Sequence, residues 1–257
     1  MEQGRASETA RRVAAQRLTF RRLPGHSEPD DRLHADVAGG LVVEPSPMTR
    51  YLAARTSFFD RAVVGWDGPS VVLLAAGYDG RALRYGRPGV RWWEIDHPDT
   101  QADKQARLAR LGLDVSGISF VAADFLVDDW SVDLAGPTLF VCEGLIAYLP
   151  AASAVALLAR CSRLAPAGSV LAAEIAVQPV GAVSDTRSQV RRTAAAVGEQ
   201  MAEPWDRQTL APSLLAAGWV VRSAVDARGS DIAASALSAA LVTADVAAQS
   251  LSGIGSA

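Results

Sequence analysis

The hydrophobic pattern of this chain changes period near residue 70. Before that point it is helical. Ala10, Val13, Ala14 and Leu18 share one face over residues 7–20, with Ser7 placed as a cap. Met48, Tyr51, Leu52, Phe58, Phe59, Ala62 and Val63 form one apolar stripe over 48–64. Between these segments lie Pro24, Gly25, Pro29, Gly39, Gly40, Pro45 and Pro47, which predict mostly loop with one short helix over 21–47. From residue 70 onward short apolar runs alternate with helical patterns. The runs at 70–76, 90–95, 117–122, 138–142, 169–176, 218–225 and 236–243 read as strands. Helices are predicted at 79–86, 99–112, 150–164 and 207–217, with a further short one at 229–235. This alternation predicts an α/β fold: a parallel sheet with helices on both faces.

Residues 178–206 interrupt the rhythm after the fifth strand and contain a helical pattern over 185–202. Ligands of open α/β sheets bind beyond the carboxyl ends of the strands, so this insertion is expected to cover the substrate. Residues 249–257 are small and polar and are expected to fray. The chain is read as one domain over 1–257, with 1–69 as an N-terminal helical cap region. Hydrophobic residues make up 49% and charged residues 21%, as in an ordinary globular protein. A net charge of −3 argues against a nucleic-acid partner. No apolar run approaches the roughly 20 residues of a membrane span, and no apolar signal core follows Met1, so a soluble, cytoplasmic protein is expected. Cys142 and Cys161 fall in a strand and a helix and read as buried free thiols, while His26, His34 and His97 are scattered, so no metal site is expected.

The chemistry sits at the strand ends. The apolar run Val71-Val72-Leu73-Leu74 leads into Ala75-Ala76-Gly77-Tyr78-Asp79-Gly80-Arg81, a small-residue turn over which a ligand can approach the backbone. The second strand ends on Asp96, which can accept hydrogen bonds from both hydroxyls of a ribose. The third reaches Asp124 and Phe125, an acid for an exocyclic amine and a ring for stacking, and the fourth ends on Glu143-Gly144. The spacing Ala75-x-Gly77-x-x-Gly80 also fits a relaxed dinucleotide fingerprint, which keeps an NAD-dependent oxidoreductase open. Three acids at successive strand ends would repel a pyrophosphate, however. They suit a nucleoside carrying an ammonium and a sulfonium and no phosphate, namely S-adenosylmethionine. Each acid also has a plainer reading as a solvated or turn-capping carboxylate.

The blocks Ala53-Ala54-Arg55-Thr56-Ser57-Phe58-Phe59-Asp60, Gly77-Tyr78-Asp79-Gly80-Arg81, Glu94-Ile95-Asp96-His97-Pro98, Asp124-Phe125 and Glu143-Gly144-Leu145-Ile146-Ala147-Tyr148-Leu149-Pro150 occur in that order. Together they resemble the leucine carboxyl methyltransferase family, in its bacterial branch of S-adenosylmethionine-dependent O-methyltransferases. The resemblance runs from about Ser7 to Val246. It implies a class I methyltransferase fold, a Rossmann-like seven-stranded sheet whose last strand is antiparallel. It also implies O-methylation, and the carboxyl group of a small-molecule metabolite is the expected acceptor, ahead of a hydroxyl group or a protein C-terminus. By the same resemblance Arg55 would bind the cofactor carboxylate, Gly77 would line its methionine part, Asp96 would hold the ribose, Asp124 and Phe125 the adenine, and Glu143 the amino group. Ala75 stands where the family usually has the first glycine, and His97 replaces a more usual apolar residue.

Arg55 falls on the apolar stripe of its helix, so it needs a partner, either a nearby acid or a ligand carboxylate. Arg17 likewise interrupts the first helix's apolar face, and Arg11 or Arg12 could serve equally. A carboxyl acceptor is already ionised at neutral pH and requires no general base. A hydroxyl acceptor would require one, for which Tyr148, His97 and Asp79 are the weak candidates. A cofactor-binding protein without catalysis is a third reading. Trp92 and Trp93 read as core residues, and Trp205 as a candidate lining of the substrate pocket.

Overall fold

The computed structural model describes residues 6–20, 27–44, 46–178, 191, 195, 198, 200–234 and 239–248. Its centre is a sheet of β1 (Ser70–Leu74), β2 (Arg91–Asp96), β3 (Ile118–Ala122), β4 (Thr138–Cys142), β5 (Val170–Ala176), β6 (Trp219–Val225) and β7 (Ala239–Val246). The spatial order is β3-β2-β1-β4-β5-β7-β6. β1 to β5 pair in parallel, and β7 inserts antiparallel between β5 and β6. The helices are α1 (Glu8–Arg17), α2 (Ser27–Ala38), α3 (Pro47–Val64), α4 (Arg81–Tyr85), α5 (Pro98–Arg110), α6 (Ala151–Leu164) and α7 (Arg207–Ala216). This is the predicted seven-stranded α/β architecture, with α1 to α3 ahead of the first strand and an insertion after β5.

Both sheet faces are covered, which is why the central strands read as unbroken apolar runs rather than alternating ones. Val71, Leu73, Leu139 and Val141 pack with Phe59 and Val63 of α3 on one face. Val72, Leu74, Phe140 and Cys142 pack with Leu157, Leu158 and Cys161 of α6 and Leu210 and Leu214 of α7 on the other. Trp92 is buried in the first of these layers, and Cys142 and Cys161 are free and buried. A third cluster joins the cap to the body: Ala14 of α1, Leu33 and Val37 of α2, Tyr78 and Leu108 of α5.

Four expectations are corrected. The segment read as mostly loop with one short helix over 21–47 does contain one helix, α2, and it is longer than expected at 12 residues. Pro29 lies in its first turn, where a missing N–H breaks no helical hydrogen bond, so the proline was no obstacle. The first helix ends at Arg17 rather than residue 20, with Leu18 as its C-cap, although Ser7 does cap its start by accepting from Ala10 N–H at 3.1 Å. The helix expected over 229–235 is one 3-10 turn, Ile232–Ala234. There the Asp226 carboxylate takes the N–H groups of Arg228 and Ser230 at 2.7 and 3.0 Å and holds a turn instead. The last strand runs to Val246 rather than 243, because antiparallel pairing with β5 sets Ala239 against Ala176 and Asp245 against Val170. The helix expected over 185–202, with Arg187 and Arg192, falls largely outside the described residues, as do the frayed terminus and His26.

Gly80 caps the turn before α4 and has no room for a side chain. A Cβ there would overlap the Asp30 carboxylate and lie 3.0 Å from Asp30 Cβ. Asp30 is held in place by Arg84, whose Nη2 lies 2.8 Å from its Oδ2. Gly80→Ala is therefore expected to push α2 off the glycine turn and to cost about 1–3 kcal/mol in urea unfolding. An unchanged midpoint would mean that α2 is not seated there.

Candidate active site

Parallel register brings the ends of β2, β1 and β4 level, and β5 runs two residues past that line to Ala176. Leu74 pairs with Ile95 and with Cys142, and Cys142 pairs with Ala173. The next residue along each strand therefore stands in one row at the carboxyl edge: Asp96, Ala75, Glu143 and Glu174. Ala75 adopts φ 52°, a left-handed conformation that costs a residue with a Cβ roughly 1–2 kcal/mol, and Gly77 follows at φ 49°. The Gly77 N–H donates to Asp96 Oδ2, and the His97 N–H donates to Asp96 Oδ1 at 2.6 Å. Asp96 thus ties the glycine turn to the end of β2. Burial pushes its carboxyl above the ordinary range, against the pull of these two N–H groups.

Glu143 is the hub of a buried ion cluster. It accepts from Arg17 Nη2 at 3.2 Å, from Arg55 Nε at 3.0 Å and from Arg81 Nη1 at 2.6 Å. Arg55 reaches the neighbouring acid as well, donating from Nη1 to Glu174 Oε2 at 3.0 Å. Glu174 also accepts from Tyr51 Oη and from Gly144 N–H, the latter at 2.9 Å. Arg81 continues the cluster to Asp79 and to Asp60, and Arg84 links Asp60 to Asp30. Four arginines thus meet five carboxylates in one connected network. Burial alone would raise the Glu143 carboxyl, but Arg81, Arg17 and Arg55 outweigh it and hold it well below the ordinary range. Asp79 is likewise lowered, burial being outweighed by Arg81 and Arg17. Burial, reinforced by Glu174, pushes the Tyr51 phenol well above its usual value.

Helix α1 roofs this edge. Ser7 N–H at its start donates to Thr100 Oγ1 on α5 at 3.2 Å, and Arg17 at its end grips Glu143. Midway, Ala10 Cβ lies 3.3 Å from where a Cβ on Gly77 would be. Of the first-helix arginines, Arg17 reaches the site. Arg11 instead donates to the carbonyls of Val37 and Ala38 at the end of α2.

The predicted site residues fall into three groups. Gly77 with Asp96, and Arg55 with Glu143, are in direct contact. Asp124 and Phe125 lie in the turn after β3. There Asp124 Oδ1 accepts from Leu126 N–H at 2.9 Å, and Phe125 packs edge-on against Trp130 with ring centroids 6.0 Å apart. His97 caps α5 through Nδ1, which accepts from Asp99 N–H at 3.3 Å, and Tyr148 closes the 3-10 turn Ile146–Tyr148 after Glu143. Sequence reasoning missed Glu174 and Tyr51 and weighed neither Arg81 nor Asp60 for the site. The available signal was a lone acid inside the apolar run Ala172-Ala173-Glu174-Ile175-Ala176, since a buried charge needs a partner.

The donor set matches the charges of S-adenosylmethionine. A carboxylate beside a glycine turn suits a ribose diol, and an adjacent guanidinium and carboxylate are the complement of an α-amino acid zwitterion. Residues 9–162, more than half of the chain, match the model of the leucine carboxyl methyltransferase family. A protein of Mycobacteroides abscessus, provisionally named an S-adenosyl-L-methionine-dependent methyltransferase, is 31% identical over 225 residues, which are 78% of this chain and 72% of that protein. A similarly named protein of Parafrankia sp. is 38% identical over 150 residues, covering 54% of this chain. The match spans 48% of that relative, so the chain accounts for about half of its length. Among solved structures, magnesium protoporphyrin IX methyltransferase from Synechocystis with bound SAH superposes with a TM-score of 0.52. It covers 80% of this chain and 90% of its own, and at 10% identity the likeness is one of fold. No helix among the described residues is long and apolar enough to cross a membrane.

Proposed function

This chain belongs to the leucine carboxyl methyltransferase family, and we propose that it transfers the methyl group of S-adenosylmethionine to a carboxylate oxygen of a small-molecule acceptor. The observation that carries this reading is the contact of Arg55 with Glu143, 3.0 Å apart at the carboxyl edge beside the glycine turn. A zwitterionic amino-acid end can replace that contact with two, its carboxylate on Arg55 and its ammonium on Glu143. Asp96 would hold the ribose, and Asp124 with Phe125 the adenine. Bound there, the sulfonium supplies an electrophilic methyl group.

The chain's own residues would then position the acceptor and exclude water, which is worth up to roughly 7–11 kcal/mol in ideal cases. An acceptor ionised at neutral pH fits the way the carboxylates of this edge are employed. Asp96 is engaged by two N–H groups, Glu143 by three arginines, and Glu174 by Arg55, Tyr51 and Gly144. Each is committed to binding rather than to proton transfer. Family membership displaces the oxidoreductase reading of the glycine turn.

The test uses methyl-labelled S-adenosylmethionine with 4-hydroxybenzoate, which offers a carboxylate and a phenol in one molecule, and with octanoate. Label released as methanol by mild base is the expected result, since esters hydrolyse and aryl ethers do not. Base-stable label would move the acceptor to a hydroxyl. Saturable cofactor binding with no transfer to any acid would favour the non-catalytic reading.

A further inference from the structure

An open cleft of about 500 Å³ lies outside the ion cluster, within the size range of small-molecule sites. One wall is the start of α6, with Ala151 and Val155, and the opposite wall is α7, with Thr209 and Ser213. Residues 202–206, on the return of the insertion after β5, line the space between them, with Trp205 the largest side chain. That return is fixed at both ends. Trp205 N–H donates to Ala176 O and Gln178 N–H to Trp205 O, both at 2.8 Å, so the segment extends the end of β5. Ala202 N–H donates to Ala147 O at 2.8 Å, in the turn that follows Glu143 and Gly144. Residues 144–149 thus connect the ion cluster, at Glu143, to Pro150 and Ala151 on the wall of the cleft, at the edge where α/β sheets hold their ligands.

The lining is mostly apolar, and its two acids are already employed. Glu203 pairs with Arg191 at 2.9 Å, and Asp206 caps α7 by accepting from Gln208 N–H at 2.9 Å. Trp205 is buried, and its indole packs into the core on one side while lining the cleft on the other. We propose that this cleft takes the apolar body of the methyl acceptor, so that the acceptor is a carboxylic acid with a substantial aliphatic or aromatic tail rather than a small polar acid. The inference rests on the carboxyl-methylation reading and deepens it. The carboxylate end points to the Glu143–Tyr148 turn and the tail lies between α6 and α7.

The test measures binding of butyrate, hexanoate and octanoate to the full chain by ligand-observed NMR without cofactor, and methyl transfer to the same acids with it. Each added methylene is expected to tighten binding about three- to fourfold. Ala151→Trp and Thr209→Trp, both at exposed positions on the two walls, are expected to weaken octanoate at least tenfold while the dissociation constant of S-adenosylmethionine stays unchanged. Circular dichroism melting checks that both variants fold. Affinity independent of chain length, or untouched by both substitutions, would overturn the proposal. Octanoate binding is read without the cofactor, so the two readings separate. Length dependence that survives a loss of methyl transfer supports the cleft and overturns the function, and transfer to short acids without length dependence does the reverse.

Discussion

Glu143→Gln is expected to destabilise the protein by about 3–5 kcal/mol, the usual cost of removing one partner from a buried ion pair. For a chain of this size even the lower figure corresponds to a fall in melting temperature of roughly 6–12 °C. The reason lies in what the three arginines have left. Arg81 keeps Asp60 and Asp79, and Arg55 keeps Glu174. Among the described residues Arg17 keeps the longer contact to Asp79, at 3.7 Å. The stranded charge is thus on α1, and hydrogen exchange should show α1 opening before the sheet does. A pH series supplies the control. The folded protein holds the Glu143 carboxyl well below its ordinary value of 4.5, so its contribution is complete above that pH and is lost as pH falls through the folded value. Wild type and variant should differ fully at neutral pH and converge only in strong acid. Equal stability at neutral pH would mean that the cluster does not hold the cap.

Asp96→Ala is expected to act on the ligand instead of the fold. Hydrogen bonds from two ribose hydroxyls to a carboxylate are worth about 1.5–3 kcal/mol each, so calorimetry should show S-adenosylmethionine binding weakened about a hundredfold or more. Stability should change by less than about 1 kcal/mol, because two effects oppose each other. The variant loses the acceptor for the Gly77 and His97 N–H groups, but it also removes a buried carboxylate whose ionisation burial disfavours. The contrast is the informative part: Glu143→Gln is read in a melting curve and Asp96→Ala in a titration. Unchanged cofactor affinity in the Asp96 variant would remove the ribose role and leave Asp96 as the tie that shapes the glycine turn.

The fold was largely legible because its signals are local. Seven apolar runs mark seven strands, and both faces of the parallel strands are buried, so the runs are continuous. Where local signals misled, a nonlocal partner was the cause. The prolines and glycines around α2 read as mostly loop with one short helix, yet Leu33 and Val37 find α1, Tyr78 and Leu108 and hold 12 residues of helix there. The last strand continues past residue 243 to Val246, a limit set by pairing with β5 and β6.

The site divides along the same line. That Asp96 and Glu143 stand at the ends of β2 and β4 follows from sequence alone, since each is the first acid after a strand-like run at the carboxyl edge of the sheet. That Arg55 needs a partner is equally a property of the sequence, because it interrupts an apolar stripe. Which partner it takes was decided only by tertiary structure. Parallel register set Glu174 beside Glu143, α3 laid Arg55 across both, and α1 brought Arg17 from 126 residues away to the same carboxylate. Periodicity records which side of an element is buried. It holds no record of which buried charges meet, because that depends on how helices distant in the chain pack onto one sheet edge.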